Sequence, residues 1–138
     1  DTHTVNKFEE KLKSDLKFMD YYKSVYISAK TGQRVDKILT AAEEVYEHAS
    51  FRIPTGALND LLGDAVRLNP PPSYQGRRMK VYFSSQVGVC PPTFALFVND
   101  AGLLHFSYER YLENTIRAAY DFSGTPIRIS AREKKEDD

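Results

Sequence analysis

Arg78-Met79-Lys80-Val81-Tyr82-Phe83-Ser84-Ser85-Gln86 is the stretch on which the fold turns. Apolar and polar residues alternate through most of it, so the spacing predicts a strand with one buried side. Met79, Val81 and Phe83 form the expected inner face, and Lys80, Tyr82 and Ser84 the outer one. Upstream, Leu58, Leu61, Leu62, Ala65 and Val66 recur at helical spacing behind Thr55, a candidate N-cap. Asn69-Pro70-Pro71-Pro72 stops that helix, because proline cannot continue it. Downstream, Gly88 and Pro91-Pro92 mark a turn, and Thr93–Asn99 reads as a second strand. Ser107 is a candidate cap for a helix whose buried side carries Tyr108, Tyr111, Leu112, Ile116 and Ala119. Ser123-Gly124-Thr125-Pro126 ends it, and Ile127–Arg132 forms the last strand. From residue 51 the order is therefore α-β-β-α-β, a compact α+β unit with a three-stranded sheet.

Two helices on one face of such a sheet leave the other face open. The more polar register of the three strands carries Arg78, Lys80 and Tyr82; Ala95, Phe97 and Asn99; and Arg128, Ser130 and Arg132. Arginine, lysine and aromatic residues on neighbouring strands suit single-stranded RNA, which is held by stacking and by phosphate contact. The alternative is a face that packs on another domain of the same chain. Arg77, Arg78 and Lys80 form the densest basic group. They either hold phosphates or act as edge-strand charges that discourage sheet-to-sheet pairing.

Residues 1–50 read differently. Val5, Phe8, Leu12, Leu16 and Met19 line one face of a helix, with Thr4 as candidate N-cap. Ser24–Ile27 reads as a short strand, and Val35, Ile38, Leu39, Ala42, Val45 and Tyr46 form the apolar stripe of a second helix. One strand between two amphipathic helices cannot build a two-layer core alone. The α-β-α piece is therefore expected to be the end of a doubly wound α/β domain. Asn6-Lys7-Phe8-Glu9 has the outline of a guanine-specificity motif but lies inside the helical pattern, so it is rejected as one. No G-x-x-x-x-G-K-[ST] phosphate loop occurs in the 138 residues, so nothing here is expected to cradle phosphates or seat magnesium, and no catalytic residue is assigned.

The zero net charge hides an asymmetry. Residues 1–50 carry eight Lys/Arg against nine Asp/Glu, and residues 51–132 nine basic against six acidic, all but one of the basic groups being Arg. That balance permits RNA contact without requiring it. The acidic tail, 133–138, returns the total to zero. A single cysteine, Cys90, cannot form an internal disulfide and fits a reducing, cytoplasmic setting. His3, His48 and His105 have no metal-ligand spacing, so no metal site is expected. No apolar run is long enough to cross a bilayer.

Two resemblances organise these observations. Val25-Tyr26-Ile27-Ser28-Ala29-Lys30-Thr31-Gly32 is similar to the last nucleotide-contacting loop of Ras-like GTPases. That resemblance implies a guanine-binding role for Ser28, Ala29 and Lys30 within an intact domain. The longer match runs through Phe51-Arg52-Ile53-Pro54-Thr55-Gly56-Ala57-Leu58-Asn59-Asp60, Asn69-Pro70-Pro71-Pro72 and Gly76-Arg77-Arg78-Met79-Lys80-Val81-Tyr82-Phe83. It continues through Pro91-Pro92-Thr93-Phe94, Phe97-Val98-Asn99, Ser107-Tyr108-Glu109-Arg110-Tyr111-Leu112-Glu113-Asn114 and Gly124-Thr125-Pro126-Ile127. Together these resemble the C-terminal region of the Der (EngA) family of bacterial GTPases, which have two GTPase domains and a KH-like domain.

The resemblance implies residues 1–50 as the end of the second GTPase domain and 51–132 as a KH-like domain. It implies GTP or GDP and magnesium as ligands of the intact parent only. It implies large-ribosomal-subunit assembly as the process, ribosomal RNA and the other GTPase domain as partners, and a monomeric fragment that is not itself an enzyme. The RNA candidates are Arg77, Arg78, Lys80, Tyr82, Arg128 and Arg132. The seven glycines never lie three apart, so the Gly-x-x-Gly clamp of ordinary KH domains is missing.

Overall fold

The computed structural model describes residues 1–134. Its elements are α1 (Thr2–Asp15), α2 (Asp36–Ser50), α3 (Thr55–Leu68), β1 (Val81–Gly88), β2 (Thr93–Val98), a single 3-10 turn at Ala101–Leu103, α4 (Phe106–Ala119) and β3 (Arg128–Glu133). The strands form one mixed sheet in the order β1-β2-β3. β1 runs antiparallel to β2, and β2 parallel to β3. A parallel pair needs a crossover, and α4 supplies it.

The core gathers where the periodicities predict. Leu58, Leu62 and Ala65 of α3, with Tyr108, Leu112 and Ile116 of α4, are buried against Phe94, Leu96 and Val98 of β2. Ile129 and Ala131 of β3 pack against the same cluster. Two tyrosines of α4 reach the C-terminal end of α3: Tyr111 donates to the Ala65 carbonyl at 2.8 Å and Tyr108 to the Asn69 carbonyl at 2.9 Å. The Ala65 carbonyl already accepts from the Asn69 N–H at 3.0 Å, so Tyr111 adds a second bond there, while Tyr108 binds the carbonyl of the residue that ends α3. Between α3 and β1, Gln75 and Gly76 both have positive φ, as a type I′ turn requires, and Tyr74 and Arg77 exchange backbone bonds across it.

Side-chain amides dress the β1 edge. Asn59 accepts from the Ser84 N–H at 2.7 Å and donates to the Ser84 carbonyl at 2.9 Å, as a neighbouring strand would. Gln86 repeats the device outward, accepting from the Ile53 N–H at 2.8 Å and donating to the Phe51 carbonyl at 2.9 Å. The segment joining α2 to α3 is thereby tied to the sheet.

Several expectations are corrected. The strand expected at Ser24–Ile27 is not formed; residues 22–28 carry no regular secondary structure. A strand needs a ladder partner, and every strand of the described sheet lies after position 80. The helices flanking that segment, α1 and α2, are in place, and Asn6–Glu9 lies within α1. Asp1, not Thr4, caps α1, its carboxylate accepting from the His3 N–H at 3.1 Å. Thr55 is the first residue of α3 and Ser107 lies inside α4, so neither caps its helix. The α2 stripe is not covered: Leu39 and Tyr46 are 71% and 66% exposed, and α2 has no buried residue.

The alternation of β1 breaks at Tyr82. Val81 pairs with Val98 but Phe83 with Phe97, a register shift that places a bulge at Tyr82. Beyond it the faces exchange. Ser84, expected outward, is buried, and Phe83, expected inward, is 41% exposed.

The first fifty residues meet the rest along a polar seam. Arg117 of α4 binds Glu113 at 3.1 Å and the carbonyls of Phe122 and Thr125 at 3.1 and 3.0 Å. Its guanidinium also lies 4.7 Å from the Tyr21 ring centroid. The Gly124 N–H donates to the Tyr21 carbonyl, and the Cys90 N–H to the Ala49 carbonyl at 2.9 Å. His48 Nδ1 contacts the Ser123 carbonyl at 2.9 Å, while Nε2 faces Asp121 at 3.5 Å. Hydrogen bonds from the Ser123 hydroxyl and backbone hold the Asp121 carboxyl below its ordinary range, with His48 and Lys23 adding to the effect.

Candidate nucleic-acid interface

The sheet face turned away from α3 and α4 is built from residues in register. One row holds Phe83, Phe97 and Arg132; the next Ser85, Ala95 and Ser130; beyond it Thr93 lies beside Arg128. Leu96 and Val98 point into the core, so Phe97 between them points out. Phe83 stacks on it with ring centroids 4.3 Å apart and planes 11° from parallel. Bulging puts Tyr82 on the same side as its neighbour. The Lys134 ammonium shows this directly, lying 5.7 Å from the Tyr82 ring centroid and 5.9 Å from that of Phe83. Both distances fall within cation–π range.

Three cations of β3 and its end gather on this face. Arg128, Arg132 and Lys134 are exposed, and Ile129 and Ala131 between them pack on the core, which sends the three cations to the open side. Glu133 turns the other way, its carboxylate accepting from the Ala101 N–H at 3.2 Å.

The expected site residues divide into groups. Tyr82 and Arg132 come together around Phe83 and Phe97, and Arg128 shares their face. Arg78 and Lys80 are exposed just before β1, where Asn99 fastens the backbone by bonds to the Arg78 carbonyl and the Lys80 N–H. Arg77 is diverted to an ion pair with Asp100 at 2.9 Å. Ala95, expected on the open surface, is fully buried. Sequence reasoning missed Phe83 and Lys134. The signal for Phe83 was the adjacent pair Tyr82-Phe83, which strict alternation cannot place on one face without a bulge.

The second group, Ser28, Ala29 and Lys30, forms a closed loop ahead of α2. The Gly32 N–H donates to the Ser28 carbonyl at 2.8 Å, the Ser28 N–H to the Gln33 carbonyl at 3.0 Å, and the Thr31 N–H to the Ser28 hydroxyl at 3.3 Å. Gly32 has φ of 72°, a conformation glycine adopts without penalty. Ala29 and Lys30 stand exposed at the tip. Such a loop can meet the edge of a base. Among the described residues no cluster of three or more His, Cys, Asp or Glu side chains could hold a metal ion, and no helix is long and apolar enough to cross a membrane.

A three-stranded mixed sheet with both helices on one face defines the unit as a KH-like α+β domain. Residues 52–132 match the family described as KH-domain-like of EngA bacterial GTPase enzymes, C-terminal, and the chain belongs to that family. Over nearly its whole length it is also similar to proteins named GTPase Der. That of Leuconostoc citreum (strain KM20) is 49% identical over 135 residues, covering 98% of this chain and 31% of the relative. That of Desulfitobacterium hafniense (strain DSM 10664 / DCB-2) is 51% identical over 137 residues, covering 99% and 31%. The Clostridium tetani protein is 51% identical over 136 residues, with the same two coverages. The chain thus spans about a third of the length of the curated relatives it matches.

Proposed function

We propose that the chain is the C-terminal part of a GTP-binding protein acting in large-ribosomal-subunit assembly, and that its KH-like domain contacts ribosomal RNA. In this reading residues 1–50 close a second GTPase domain and 51–132 are the KH-like domain. Family membership supports the GTPase parentage. The absence of any core residue before Ile53 among the described residues supports the division. Ser28, Ala29 and Lys30 meet guanine when the remainder of their domain surrounds them. GTP or GDP and magnesium belong to that intact protein, because the phosphate loop is not in this stretch of sequence.

RNA contact rests on one observation above the others: three aromatic rings and three cations share a sheet face, and the Glu133 carboxylate between two of those cations is turned away from it. Arg128 and Arg132 carry phosphates, joined by Arg78 and Lys80 at the β1 entrance; Arg77 contributes less because Asp100 already neutralises it. Binding of ribosomal RNA fragments is expected to weaken steeply with added salt, and Arg128→Gln with Arg132→Gln to flatten that dependence by about two units of log–log slope.

The Phe83–Phe97 pair also favours a second reading, in which the face docks on a GTPase domain of the same chain without RNA. That contact would tolerate salt. No salt-dependent binding of the RNA fragments, with or without the double arginine substitution, would decide for docking.

A further inference from the structure

We propose that this face recognises unpaired bases by stacking, on a platform that the β1 bulge creates, and that it binds paired RNA poorly. The inference rests on the RNA reading above and specifies the state of the RNA.

The bulge is the decisive feature. A regular strand would alternate Tyr82 and Phe83 across the sheet and leave one ring outside; here both rings lie within 6 Å of the same Lys134 ammonium. Phe83 is also stacked on Phe97, so the aromatic surface extends across two strands. Every base has a π-face, which makes such a surface tolerant of sequence. A duplex hides those faces in its own stack and offers the sheet only phosphates and sugar edges.

Cations bracket the rings. Arg132 is in register with Phe97, and Arg128 lies four residues earlier on the same strand, about 13 Å away. A strand of a few nucleotides can therefore lay its phosphates along β3 while a base reaches the rings of β1. This arrangement substitutes for the Gly-x-x-Gly clamp that the sequence does not contain.

The test compares fluorescein-labelled oligoadenylate and oligouridylate of about 12 nucleotides with the A·U duplex they form. Each is titrated with the 138-residue chain at several salt concentrations. Single strands are expected to bind at least about tenfold more tightly than the duplex, adenylate more tightly than uridylate. Phe83→Leu keeps an apolar cover over Phe97 but removes the π-face; it should cost about tenfold at every salt concentration and leave the slope unchanged. Tyr82→Ala, on the exposed bulge, should act in the same direction, and circular dichroism melting confirms that both variants fold.

Equal affinity for single strand and duplex, with Phe83→Leu binding like the parent, would overturn stacking and leave the RNA reading standing. Loss of all salt-dependent binding, to either form, would overturn both.

Discussion

Tyr108 shows how much one side chain is asked to do. It is buried in α4, packs in the core, and donates to the Asn69 carbonyl that ends α3. Burial favours the neutral phenol, with Tyr111 nearby adding to the effect, and its pKa is pushed up to about 12. An unfolded tyrosine titrates near 10. The stability this bond and burial confer is therefore complete below about pH 10 and drains away as pH rises toward 12, because the unfolded chain then releases the proton more readily. A spectrophotometric titration should find one tyrosine ionising near pH 12, and Tyr108→Phe should abolish that step. Its presence in the buried stripe was legible from spacing with Leu112 and Ile116. Its hydroxyl partner was not, since Asn69 lies 39 positions away, at the C-cap of another helix.

The edge of β1 carries the clearest lesson for elements. Helices were legible because 3.6-residue periodicity repeats over several turns: α3 buries Leu58, Leu62 and Ala65 and α4 buries Tyr108, Leu112 and Ile116, as spacing selects, while Ala119 at the end of α4 is exposed. β1 is too short for irregularities to average out: the bulge at Tyr82 reverses the side chains that follow it as far as Gln86, where a second register shift occurs before Gly88. Part of the predicted open face survived this: Arg128, Arg132 and Phe97 stand where alternation put them, because β2 and β3 pair without a shift.

Asn59 then holds the bulged strand in its new register. Asn59→Leu should cost about 2 kcal/mol by leaving the Ser84 N–H and carbonyl unpaired near the core. Asn59→Asp keeps an acceptor for the N–H but sets a carboxylate against the carbonyl, so it should fare no better at neutral pH. Urea denaturation of the two variants checks both, and a loss below about 0.5 kcal/mol would show that water replaces the amide. α1 and α2 display the opposite case: α1 ends at Asp15, short of Leu16 and Met19 in its expected stripe, α2 begins one residue after Val35, and neither helix has a buried residue.

For the whole molecule the seam decides whether the first fifty residues and the sheet unit behave as one. Gly124 sits at its centre with φ of 86°, and a Cβ there would lie 2.3 Å from Val45 Cγ2 and 3.2 Å from Lys23 Cγ. Gly124→Ala combines a left-handed penalty of about 1 kcal/mol with that collision. Hydrogen exchange should accelerate at the Cys90 amide and along the C-terminal half of α2, while Leu96 and Leu112 keep the protection of the core. Adding Val45→Ala removes the collision but not the backbone penalty, so the double variant should recover part of the protection. Uniform acceleration including Leu96 would mean the sheet unit depends on the seam for its own stability. None of these contacts was visible in the sequence. His48 lies in the last turn of α2, and its partners across the seam, Ser123 and Asp121, come from more than seventy positions away.

The length of α2 gives the seam mechanical leverage. Fifteen residues of helix make a rod about 22 Å long, with the Ser28–Gly32 loop at its near end and the Ala49–Cys90 and His48–Ser123 bonds at its far end. Pivoting that rod by about 10° sweeps one tip through about 4 Å, more than a hydrogen bond survives. Motion at the loop must therefore either drag the sheet unit along or tear those two bonds, and no gentle compromise lies between.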